Sequence, residues 1–67
     1  MTDLEMLAQN AQDKKQLMKI AKKTGIMPIM LAAAQAYADA IYEWHIVKYP
    51  AKRFRKPTPE SLLRMKY

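Results

Sequence analysis

Between Ile26 and Val47 the chain reads IMPIMLAAAQAYADAIYEWHIV, its longest apolar run, with no glycine inside it. Gln35, Asp39, Glu43 and His45 are the only strongly polar side chains in the run. Pro28 stands at the start, where the first N–H groups of a helix have no intrahelical partner and proline is tolerated. Alanine, the best helix former, fills positions 32, 33, 34, 36, 38 and 40. The pattern predicts a helix over residues 28–46 that is apolar around most of its circumference. Such a helix has to be covered from more than one side.

Within that helix, Met30, Ala34, Tyr37, Ile41 and Trp44 follow one another at spacings of four and three and form one stripe. Ile29, Ala33, Ala36 and Ala40 form a second stripe of small residues, along which another helix can approach closely. Gln35, Asp39 and Glu43 recur every four residues and mark a polar edge.

The first cover comes from the N-terminal third. Thr2-Asp3-Leu4-Glu5 has the form of a capping box, with the threonine oxygen accepting from the N–H of residue 5. Leu4, Met6, Leu7, Ala11, Leu17, Met18, Ile20 and Ala21 then keep helical spacing. A polar patch at 9–16 allows a break with Asp13 as a new cap, but one helix over 3–23 is the expectation. Its acidic residues come early and its lysines late, as the helix dipole favours. Gly25, the chain's one glycine, is the natural stop. A short turn then joins the two helices into a hairpin spanning 1–47.

After Val47 the composition changes. Pro50, Pro57 and Pro59 forbid a continuous helix, and Lys48, Lys52, Arg53, Arg55 and Lys56 crowd together with Tyr49 and Phe54 between them. This reads as an extended basic arm. Thr58 then caps a short last helix, PESLLRMKY, with Pro59 at its first position. The fold class is therefore expected to be all-α, with the arm and short helix making up 48–67.

Composition narrows the function. A chain of 67 residues buries only about 60% of its unfolded surface, and scaffolds of this size commonly need a disulfide, a metal or a partner. With no cysteine there is no disulfide and no thiolate zinc site, and the single histidine, His45, cannot build a metal site from imidazoles. His45 and Glu43 do not share a helix face, and no nucleophile stands at a useful spacing, so no catalytic residue and no cofactor is expected. One glycine cannot form a phosphate-cradling loop. By elimination the extra stability comes from self-association or docking, with Met30, Ala33, Ala36, Tyr37, Ala40, Ile41 and Trp44 as the candidate interface. Aromatic residues and methionines suit such a contact.

The net charge of +6 asks for an acidic partner, whether nucleic acid, an anionic membrane surface or an acidic protein face. The segment KIAKKTGIMPIML resembles the helix-turn-helix pattern, with Ala21 four residues before Gly25, then apolar Ile26 and Leu31. The second helix, however, would offer Pro28, Ile29, Ala32, Ala33 and Ala36 to the major groove, none of which reads a base edge. The stronger signal is the arm. Lysine and arginine at 48, 52, 53, 55 and 56 suit phosphate contacts, and Tyr49 and Phe54 suit stacking on exposed bases.

The expected function is a non-enzymatic basic binding module. It docks or dimerises through the central helix and grips nucleic acid through residues 48–56. The alternatives are an accessory structural subunit of a larger assembly, such as a virion or multi-subunit enzyme, and a small inhibitor covering an acidic site. The acidic start MTDLEM lacks the pattern of a secretory signal, and Asp39 and Glu43 argue against a membrane span. An intracellular location, or one within a virus particle, is the corresponding expectation.

Overall fold

A computed structural model describes residues 2–64 and is all-α: α1 (Asp3–Thr24), α2 (Met27–Lys48) and α3 (Pro59–Arg64). No strand occurs among the described residues. Met65 and the expected continuation of the last helix to residue 67 lie outside them.

The local signals explain each boundary. Thr2 holds extended backbone, and its Oγ1 accepts from the Glu5 N–H at 3.1 Å. The polar patch does not break α1. Gln9 Nε2 donates to Asp13 Oδ1 at 3.0 Å, one turn along, so Asp13 is satisfied on the helix surface instead of capping a new start. Gly25 ends α1 in the left-handed region, at φ 69°, where a Cβ would be strained. Thr24 fastens the turn: its Oγ1 donates to the Ala21 carbonyl at 2.6 Å and accepts from the Ile26 N–H at 3.2 Å. α2 begins one residue earlier and ends two residues later than expected, with Pro28 in its first turn.

α1 and α2 pack on each other across the two-residue connection, and α3 packs on α2. The core is thin. Met18 and Ala21 of α1 meet Ala33, Ala34 and Ala38 of α2, and Leu62 of α3 completes the cluster. Tyr37, Ile41 and Leu63 pack against it from the edges. Met18 is the largest side chain that is fully buried. Alanine on α2 brings the helices close, but each buried methyl contributes little, so Met18 and Leu62 supply most of the large apolar surface removed from water.

The apolar circumference of α2 is thus divided between two covers, α1 and the returning C-terminal segment. The return begins with a turn: the Tyr49 N–H donates to the His45 carbonyl at 2.9 Å, and the Lys52 N–H to the Tyr49 carbonyl at 3.1 Å. Residues 53–58 then run back along α2. Thr58 starts α3 as expected, with its Oγ1 accepting from the Ser61 N–H at 3.1 Å and Pro59 in first position. No helix among the described residues is long and apolar enough to cross a membrane.

Candidate nucleic-acid interface

The arm does not hang free. The Phe54 ring lies flat on His45, with centroids 3.9 Å apart and planes 4° from parallel, and it also faces Tyr42 at 6.2 Å. Two residues on, Lys56 pairs with the Asp39 carboxylate, which Gln35 Nε2 also approaches at 3.2 Å. The Lys56 ammonium donating to Asp39 holds that carboxyl below the usual carboxylate range. In extended backbone successive side chains point to opposite sides. Phe54 and Lys56 both reach back to α2, at His45 and Asp39, although the Lys56 side chain stays 46% exposed, and Arg53 and Arg55 are exposed beside them.

A second group gathers where α2 ends. Lys48 Nζ lies 4.6 Å from the Trp44 ring centroid and 5.4 Å from that of Tyr49. Lys52 Nζ lies 5.4 Å from Tyr49 on its own account. Trp44 and Tyr49 meet edge to face at 6.3 Å, and Tyr49 also tilts against His45 at 5.1 Å. Lysines over aromatic faces keep their charge while losing rotamer freedom, so these cations are positioned before any partner arrives. The structure thus brings together Lys48, Tyr49, Lys52, Arg53 and Arg55 as an exposed set, and uses Phe54 and Lys56 as internal anchors. Phe54 is half-buried on His45, so its ring is not presented to an incoming base.

The residues read as an interface lie elsewhere. Ala33 is in the core cluster with Met18 and Ala21, and Ala40 is buried too, so the close approach that the small residues permit is used within the chain. Tyr37, Ile41 and Trp44 line a hollow of about 260 Å³ against Ala8, Ala11 and Gln12 of α1. Burial there raises the Tyr37 hydroxyl pKa and keeps it neutral. Met30 and Ala36 are half-buried. The supporting roles of Asp39, Tyr42, His45 and Trp44 were not visible in the sequence. The one available signal was the in-and-out alternation of residues 53–56, which asks for a carboxylate and a flat apolar surface beneath the arm.

His45 Nδ1 is buried with no hydrogen-bond partner among the described residues. No group of three or more histidine, cysteine, aspartate or glutamate side chains that could hold a metal occurs among them either.

No protein-family model matches the chain, and neither a curated protein nor a solved structure matches it.

Proposed function

We propose that the protein is a non-enzymatic, basic binding module that holds nucleic acid through the exposed cations of its returning arm. The observation that carries this reading is the fixed placement of Arg53 and Arg55 on the solvent side of an arm pinned by Phe54 and Lys56. Guanidinium forks suit phosphate oxygens, and an arm already held down loses less conformational freedom on binding than a loose one. Lys48 and Lys52 extend the charged row toward the end of α2, with Tyr49, 37% exposed, between them for stacking on a base. Lys56 neutralises Asp39, which would otherwise repel phosphate beside the arm.

Fluorescence anisotropy with labelled single- and double-stranded DNA and RNA tests it. Four cations engaged at phosphates give a slope of about −3 to −4 in log affinity against log salt on duplex DNA, or about a hundredfold loss between 50 and 200 mM salt. Replacing Lys48, Lys52, Arg53 and Arg55 with alanine removes most of that slope. Absence of binding at low salt overturns the reading.

A further inference from the structure

The closed end of the α1–α2 pair, remote from the arm, has a different surface. Ile20, Ile26 and Met27 are 62%, 50% and 55% exposed there, although they are among the most apolar residues in the chain. Beside them Leu17, Ile20 and Ile29 line an open groove of about 340 Å³ on the seam between the helices. Scattered exposed apolar residues need no explanation, but a contiguous group does.

Charge distinguishes this end further. From residue 14 to residue 38 there is no aspartate or glutamate, while Lys14, Lys15, Lys19, Lys22 and Lys23 all fall within that span. The first turn of α2 holds no acidic residue, and the last turn of α1 holds Lys22 and Lys23. Among the described residues, Glu60 lines the hollow beside Met27 together with Arg64 of opposite sign.

Part of the backbone at the turn is provided for from within, although Ile26 gives the first N–H groups of α2 no side-chain cap. Thr24 Oγ1 serves both the Ala21 carbonyl and the Ile26 N–H, the Met30 N–H donates to the Ile26 carbonyl, and Pro28 has no N–H to satisfy. Exposed isoleucine and methionine at the end of a helical pair, with lysines behind them and no acid from residue 14 to residue 38, form the pattern of a shallow interfacial anchor.

We propose that this closed end seats in an anionic lipid surface, its apolar side chains entering the headgroup boundary and its lysines lying against lipid phosphates. The site is separate from the arm. α2 has 22 residues, which at the helical rise is about 33 Å, and the two sites lie toward its opposite ends.

Flotation of the full chain with vesicles tests the proposal. Vesicles of phosphatidylcholine with phosphatidylglycerol are expected to carry the protein, and vesicles of phosphatidylcholine alone are not. The triple variant Ile20→Gln, Ile26→Gln, Met27→Gln should weaken partitioning at least about tenfold with the circular dichroism unchanged, since all three side chains are half exposed or more. Alanine at Lys48, Lys52, Arg53 and Arg55 should leave partitioning in place while removing nucleic-acid binding, so the two readings fail separately. The chain has no cysteine, so Ile26→Cys gives a single position for an environment-sensitive dye, whose emission should shift to the blue on the anionic vesicles. Three results would each overturn the proposal: no partitioning on anionic vesicles, partitioning that the triple variant leaves intact, or an unshifted dye. A self-association in lipid-free sedimentation that the triple variant abolishes would also overturn it, and would assign the same end to contact between copies.

Discussion

The two ends of α2 differ in sequence and in how the fold houses them: residues 27–34 are all apolar, while 41–48 include Glu43, His45 and Lys48. At the C-terminal end Tyr42, His45 and Trp44 are half-buried, because Phe54 and Tyr49 come back over them, while Ile46 and Val47 stay 40% and 51% exposed on the other side. At the N-terminal end Ile26, Met27 and Ile29 stand exposed beside Leu17 and Ile20 of α1. The cause is connectivity. The segment after the first end folds back over it and reaches Met27 and Leu31 as α3, while the two-residue connection at the second end leaves the side toward Leu17 and Ile20 open. The lesson is that covering an all-round apolar helix depends on which chain is within reach, and where none is, apolar side chains stay exposed.

Substitutions probe that contrast in order of size. Met18 should be the most sensitive position, since it is the one large side chain fully enclosed by the core. Met18→Ala should cost about 2–5 kcal/mol, comparable with the total of about 3–5 kcal/mol that a single small core supplies. Loss of the far-UV helix signal at moderate temperature is the expected result, and an unchanged melt would show that the core lies elsewhere.

Leu62→Ala should cost less, about 2–3 kcal/mol, because a six-residue helix near the end of the described chain can shift into the space. Amide exchange should rise first across 59–64 and leave α1 protected. Phe54→Ala should follow at about 1–2 kcal/mol, discounted from full burial because the ring is half exposed. It should free residues 53–56, increase their exchange, and weaken nucleic-acid affinity without removing any of its cations. Equal affinity in this variant would mean that pinning the arm contributes nothing.

Asp39→Asn should act more weakly, since surface ion pairs are screened by solvent. The pH dependence has a definite sign. The folded carboxyl titrates below its unfolded value, so the clip is fully present above the ordinary carboxylate range and is lost as pH falls through the lowered folded value. Lys56 resonances should report that transition, and the asparagine variant should lack it. Smallest of all, Ile20→Gln should change stability by no more than about 0.5 kcal/mol. A large loss in a thermal melt would place the closed end in the core and erase the difference between the two ends of α2.

Much of the backbone was legible from residues with local effects. Thr2, Gly25, Pro28 and Thr58 each act through their own dihedrals or a hydrogen bond three residues away, so their effects survive without knowledge of the fold. The site was legible only by composition. Residues 48–56 announce a cationic segment, but nothing local says that Phe54 faces inward to His45 or that Lys56 finds Asp39, residues nine and seventeen positions away. The small-residue stripe left its partner open for a related reason. Ala33 and Ala40 signal a close helix contact without saying whose helix, and α1, tethered two residues away, takes the place ahead of any second molecule.

By itself the sequence determined an all-helical chain, several of its helix caps with α2 bounded to within two residues, and an excess of positive charge in the segment after α2. These follow from steric preference, hydrogen bonding over a single turn and simple charge counting. Tertiary structure alone decided which side of the arm is offered to solvent, which aromatics hold it, and which end of the central helix is left bare. Those outcomes depend on pairing groups distant in the chain, where the competition between apolar burial and the entropy of closing the loop is settled only once every element is in place.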